Sequence, residues 1–262
     1  MLAGRIEGPD QVKPYADHFS RLAPAYASCR PGYPDGLFDY LAGLVSRHDL
    51  AWDCAAGTGQ ATIPLARRFN RVIATDFSAA MLDQAPRHPA VVYRVAPAEA
   101  SGLGDASADL VTVAQALHWL DTKTFYAEVD RVLVPGGVLA VWTYGAQYLD
   151  EPALDGVLRH FYADIVGPYW SPERRHVESG YRTLPFPFPE LEPRALAMRE
   201  LWSLAQLLGY VGTWSATQRF REAVGHDPVH QLGQDLAQHW GDPLVPRRIG
   251  WPLSMRVGRR PV

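Results

Sequence analysis

The chain has 262 residues, of which 47% are hydrophobic and 20% charged, enough to bury a substantial core in one large domain. A net charge of −3 and a pI near 6.3 provide no overall field for nucleic acid or an anionic membrane, and no nucleic-acid partner is expected. The two cysteines, Cys29 and Cys54, lack metal-ligand spacing, no apolar run approaches the ~20 residues of a membrane span, and residues 1–13 lack a secretory apolar stretch. These features give the expectation of a cytoplasmic protein, monomeric or homodimeric.

In chain order, Tyr15 to Arg47 has helical character interrupted at Arg30-Pro31-Gly32-Tyr33-Pro34. From Leu50 onward, short apolar runs alternate with helical segments. Strands are expected at Ala51–Asp53, Val72–Thr75, Val91–Val95, Leu110–Ala114 and Val138–Thr143. Helices are expected at Ala61–Phe69, Ala79–Ala85 and Thr124–Leu133, and Pro135-Gly136-Gly137 stops the last of them. This order predicts a doubly wound, Rossmann-like α/β fold with a mostly parallel sheet.

Beyond residue 150 the character changes. A helix at Pro152–Phe161 leads into irregular chain rich in Pro, Tyr and Trp. A strand is expected at Arg194–Trp202, helices at Leu204–Tyr210, Ala216–Val224 and Val229–Trp240, and an edge strand at Pro252–Gly258. The expected organisation is an N-terminal helical lid (1–48), a nucleotide-binding core (49–145), a cap inserted between strands five and six (146–193), and C-terminal elements completing the sheet (194–262).

The most informative stretch is Asp53-Cys-Ala-Ala-Gly57-Thr-Gly59, with an isolated acid at Asp76. Strand, glycine turn, helix, strand and acid form half of a nucleotide-binding βαβ unit. Gly57 and Gly59 permit positive φ and close approach of a ligand, and Asp76 ends the second strand, where it can accept from ribose hydroxyls. A nicotinamide site wants a third glycine three residues after Gly59; Thr62 stands there, so that fingerprint is incomplete.

The Asp53–Gly59 motif resembles the first motif of the class I S-adenosylmethionine-dependent methyltransferases. Other segments are similar to the same family in the same order: Ala96-Pro-Ala98-Glu99, Asp109 to Asp121, and Arg131 to Thr143. His18 to Tyr26, Arg30 to Pro34 and Ala116-Leu-His118-Trp119 resemble methyltransferases similar to trans-aconitate methyltransferase, as do Gly180-Tyr181 and Thr213-Trp-Ser215. The resemblance implies S-adenosylmethionine as cofactor, S-adenosylhomocysteine as product and a small-molecule acceptor.

It also implies roles. Asp53, Gly57 and Gly59 would line the methionyl part, Asp76 the ribose, and Ala98 and Glu99 the adenine, with Phe77 stacking on the ring and Gln115 at the reactive edge. Tyr26 and Arg30 would close over the cofactor, Arg30 against the methionyl carboxylate. The acceptor would meet Trp119, Trp142, Trp170, Arg174 and Tyr181. His118 would be either a general base or a pocket wall. Two other readings remain at this point: the same cofactor serving a cyclisation or elimination, and a non-catalytic cofactor-binding module.

Overall fold

The computed structural model describes residues 30–262, and Tyr26, with the rest of 1–29, lies outside the described residues. Pro34, extended at ψ 139°, starts helix α1 (Asp35–Gly43), so the predicted break at Arg30–Pro34 separates this helix from what precedes it. The Rossmann-like half follows as β1 (Leu50–Cys54), α2 (Thr62–Ala66), β2 (Arg71–Asp76), α3 (Ala79–Asp83), β3 (Val91–Val95), β4 (Ala108–Ala114), α4 (Thr122–Val132) and β5 (Leu133–Tyr144). These strands pair in parallel in the order β3-β2-β1-β4-β5. Strands β1 to β4 lie within about two residues of their expected positions, and β5 ends within one residue of its own.

The ends are chemically set. The Ser78 hydroxyl accepts from Met81 N at the start of α3, and Asp121 accepts from Lys123 N at the start of α4. Strand β5 begins at Leu133, five residues before the expected Val138. There Gly137 allows a close backbone approach, since a Cβ would stand 2.9 Å from the Val134 carbonyl and 3.2 Å from that of Asp109.

Both faces of β2, β1, β4 and β5 are covered, which explains their largely apolar runs, whereas β3 at the edge stays half-exposed. Alternate residues go to opposite layers. Trp52, Val111, Leu139 and Val141 pack with α4 through Phe125 and Val129, whereas Ala51, Leu110, Ala140 and Trp142 pack with α1 and α2 through Leu37, Phe38 and Leu65.

The C-terminal half adds β6 (Tyr148–Leu149), α5 (Pro152–His160), a wide turn (Phe161–Ile165), a tight turn (Gly167–Tyr169) and α6 (Arg174–Glu178). It ends with β7 (Glu190–Leu191), β8 (Ala197–Trp202), α7 (Leu204–Gly212), α8 (Ser215–Val224), α9 (Pro228–Trp240) and β9 (Arg247–Arg259). A separate core forms here from Leu158, Leu207, Tyr210, Leu236, Trp240 and Trp251. Trp240 and Trp251 are fully buried, so truncating either to Ala would cost about 3–5 kcal/mol.

One expectation is corrected. The Pro252–Gly258 segment belongs to a 13-residue strand, and that strand is interior. Gly258 pairs with Leu139 of β5 and with Glu190 of β7, and Gly250 pairs with Tyr148 of β6 and Arg199 of β8, so β9 has neighbours on both edges. A proline removes a ladder donor, which an interior strand must accommodate. Here the Pro252 carbonyl accepts from Gly145 N, so its missing N–H points the same way, into the gap between β5 and β6.

Among the described residues, no helix is long and apolar enough to cross a membrane, and no group of three or more His, Cys, Asp or Glu is placed to hold a metal ion.

Candidate functional site

Two cavities lie side by side at the C-terminal ends of the parallel strands, where open α/β sheets bind ligands. The larger, about 540 Å³, is bounded by the turn after β1, the ends of β2, β3 and β4, and Tyr33. The smaller, about 70 Å³, lies between the β4 end, the β5–β6 connection, the chain at 162–174 and the α7–α8 junction. Gln115 and Trp119 line both and form their common wall.

Asp53 and Asp76 line the larger cavity and hold its wall together. Fully buried Asp53 accepts from Thr62 Oγ1 at 2.5 Å and Thr112 Oγ1 at 2.9 Å. Burial pushes its carboxyl up to about 6 against the pull of those two hydroxyls, with nearby Asp76 adding to the rise. Asp76 accepts from Gly57 N at 2.8 Å and Ser78 N at 2.9 Å; burial also raises its carboxyl above the ordinary range, with these backbone donors opposing. The expected ribose acid is thus tied directly to the expected glycine turn.

That turn bends through left-handed backbone at Ala55 (φ 54°), Gly57 (56°) and Gly59 (80°). A Cβ on Gly57 would approach Met81 Cε to 3.3 Å. Gly59 departs from its expected role: it does not line either cavity, and a Cβ there would meet Tyr93 Oη at 3.1 Å and Ala85 Cβ at 3.2 Å. It is needed for packing of the turn against α3 and β3.

Ala98 and Glu99 line the far end of the larger cavity, where Glu99 Oε1 accepts from Asp121 N at 3.3 Å, and Phe77, 42% exposed, lies at its rim. Gln115 adopts left-handed backbone (φ 57°) as the chain leaves β4. Its Nε2 donates to the Tyr144 carbonyl at 3.1 Å and its Oε1 accepts from Thr143 Oγ1, so the side chain is clamped from β5. Such backbone outside glycine is retained where the surroundings enforce it.

His118, Trp119, Trp170 and Arg174 line the smaller cavity. His118 Nδ1 lies 3.1 Å from the Tyr181 hydroxyl. Burial, with Arg174 and His176 nearby, lowers the imidazole to about 3, so the ring is neutral near pH 7 and a weak base. Arg30 departs from its expected place. It lines this smaller cavity rather than the larger one, donating to Tyr144 Oη at 3.3 Å and the Thr213 carbonyl at 3.4 Å, with its guanidinium 5.3 Å from the Tyr210 ring centre.

Two expected acceptor contacts are corrected. Trp142 is fully buried and packs edge-on against Tyr33 at 5.5 Å and Phe38 at 6.3 Å, because strand alternation turns it toward α1. Tyr181 is fully buried behind His118, with its carbonyl accepting from Arg256 Nη1 at 3.0 Å; it supports the wall without lining either cavity. Sequence reading missed Tyr144, Gln147, Tyr162 and Tyr210 in the smaller cavity and Thr58 and Met81 in the larger. Tyr210 reads in sequence as one more core position of an apolar helix, and only the Gly57 turn could have indicated Thr58.

Comparison with known proteins agrees with this architecture. A methyltransferase domain family matches residues 52–141. An uncharacterized methyltransferase of Mycobacterium tuberculosis is 37% identical over 223 residues, covering 84% of this chain and 86% of the relative. A Dictyostelium discoideum protein, provisionally named a methyltransferase, is 32% identical over 225 residues, covering 85% of this chain and 86% of its own length. A solved structure from Anaeromyxobacter dehalogenans, provisionally named a type II methyltransferase, is 46% identical and superposes with a TM-score of 0.84 over 89% of this chain and 99% of its own. The chain belongs to the class I S-adenosylmethionine-dependent methyltransferases.

Proposed function

We propose that the protein transfers a methyl group from S-adenosylmethionine to a small molecule, with the cofactor in the larger cavity and the acceptor in the smaller. The observation that carries this reading is the common wall: Gln115 and Trp119 face both cavities, so ligands in each would meet there. The larger cavity fits the cofactor. Its volume is about 540 Å³, its lining combines apolar side chains with Asp53, Asp76 and Glu99, and the turn at Gly57 is left open by the lack of a Cβ.

In this reading Asp76 holds the ribose hydroxyls, Glu99 and Ala98 the adenine edge, Phe77 the ring face, and Asp53 and Gly57 the methionyl end. When bound, the cofactor would supply a methyl group on a sulfonium for an acceptor lone pair, with the carbon–sulfur electron pair leaving on sulfur. Alignment and exclusion of water are the protein's part. Gln115, fixed by Thr143 and Tyr144, orients the junction. His118 forms a neutral wall beside the acceptor, held by Tyr181. Of the expected lid at 1–48, residues 35–43 pack as α1 against the sheet, with Leu37, Phe38 and Leu41 fully buried, and 1–29 lie outside the described residues; the protein works in the cytoplasm.

The test uses S-adenosylmethionine carrying a ¹³C-methyl group, incubated with the protein and a small-molecule cell filtrate. A labelled small product formed in step with S-adenosylhomocysteine is expected. Cofactor binding without any labelled product would replace this reading with a binding module, and an altered acceptor with the cofactor unconsumed would replace it with a cyclase or lyase.

A further inference from the structure

The smaller cavity has a charge pattern of its own. Among the described residues, its lining contains Arg30 and Arg174 but no Asp or Glu. Aromatic walls surround the cations: the Arg174 guanidinium lies 4.5 Å from the Trp170 ring centre and 5.6 Å from that of Tyr162. Among the described residues, Arg174 makes one hydrogen bond, from Nε to Tyr162 Oη at 3.0 Å, and no carboxylate lies within 4.0 Å of it. Glu178, one turn further along α6, accepts from Tyr162 Oη at 2.9 Å instead. Tyr162 thus fixes the stem side of the guanidinium, and the two terminal Nη groups meet no acceptor among the described residues.

A half-buried cation without an anion is costly, and one held rigid by a stacked ring is pre-organised for a ligand. The planar fork of two Nη groups matches a carboxylate bidentately, and flat aromatic walls suit the planar group behind it. We propose that Arg174 anchors a carboxylate on the methyl acceptor, which makes small carboxylate-bearing molecules, rather than neutral or cationic ones, the substrate class of this site. The inference rests on the methyltransferase reading above and deepens it. Arg30 adds positive potential to the same cavity.

The experiment measures binding to the S-adenosylhomocysteine-loaded protein by calorimetry, with tryptophan fluorescence as a second readout. The probes are phenylacetate, cinnamate, indole-3-acetate and succinate, each paired with its neutral amide. At least one acid is expected to bind tenfold or more tightly than its amide, about what a charge-assisted pair contributes. Arg174→Gln is expected to abolish that preference and Arg174→Lys to keep part of it. If no acid is preferred over its amide, or if Arg174→Gln keeps the preference while still binding S-adenosylhomocysteine, Arg174 is a structural prop and the inference is overturned. The wild-type comparison decides the matter even if Arg174→Gln fails to fold. Failure of wild-type protein to bind S-adenosylhomocysteine would instead refute the cofactor reading itself.

Discussion

The two cavities share a wall but are built in opposite ways. Among the described residues, the larger is lined, apart from Tyr33, by residues from Asp53 to Leu120, from successive loops at the ends of parallel strands. The smaller gathers residues from Arg30 to Ser215, supplied by the β4 loop, the β5 end, the α5–α6 region and α7–α8. The first relies on backbone shape and carboxylates, the second on stacked aromatic rings and arginines. A cavity made by consecutive strand-loop units inherits its geometry from the sheet. One made from scattered segments depends on the whole packed C-terminal half.

That difference can be broken at its strongest point. Asp76→Ala removes the acceptor of both Gly57 N and Ser78 N as well as the expected ribose contact. Loss of such charge-assisted bonds is expected to weaken S-adenosylmethionine binding by roughly a hundredfold by calorimetry. Unchanged affinity would remove Asp76 from the site.

Gly59→Ala sharpens the contrast between lining and support. Its φ of 80° and the contacts with Tyr93 and Ala85 are expected to cost about 1–2 kcal/mol of stability, seen as a lowered Tm. Affinity, measured below the transition, should change far less than in Asp76→Ala. Loss of binding without loss of stability would return Gly59 to the cavity wall.

A smaller effect concerns pH. Because Asp53 is raised from 3.8 to about 6, the folded protein holds that proton longer than the unfolded chain. Its burial therefore destabilises the cofactor-free fold as pH rises through this window, and the cost is complete above about 6. A cationic ligand offsets that cost only where Asp53 is ionised. Thermal stabilisation by S-adenosylmethionine is thus expected to grow as pH rises through about 6, and Asp53→Asn should flatten the dependence. A flat wild-type profile would place the methionyl cation away from Asp53.

The smallest expected effect is at His118. With its imidazole lowered to about 3, the His118 NMR resonance, assigned by its loss in His118→Asn, should not titrate between about pH 5 and 8. A midpoint near the ordinary histidine value of 6.5 would restore a general base to the acceptor cavity.

The legibility of the site follows the same division. Asp53, Gly57, Asp76 and Glu99 were readable as lining of the larger cavity because each lies at or a few residues beyond the end of a strand that hydrophobic periodicity already marks. Arg174 and Trp170 were readable as chemistry, a cation among aromatics, but nothing local to residues 162–174 says that they face Gln115. Trp142 and Tyr181 were misassigned because an aromatic residue near a strand end reads alike whether it packs or lines. Strand alternation turned Trp142 toward α1, and the left-handed backbone of Tyr181 (φ 64°) set its ring behind His118.

By itself the sequence determined the parallel sheet, its strand-end loops and the cofactor class, because these depend on periodicity, on backbone freedom at Gly57 and on short-range spacing. Tertiary structure alone decided that β9 is interior and that Arg30 belongs to the second cavity. Those outcomes depend on pairings between residues more than a hundred positions apart, such as Arg30 with Tyr144 and Leu139 with Gly258. No local pattern encodes such pairings; packing the two halves of the chain together selects them.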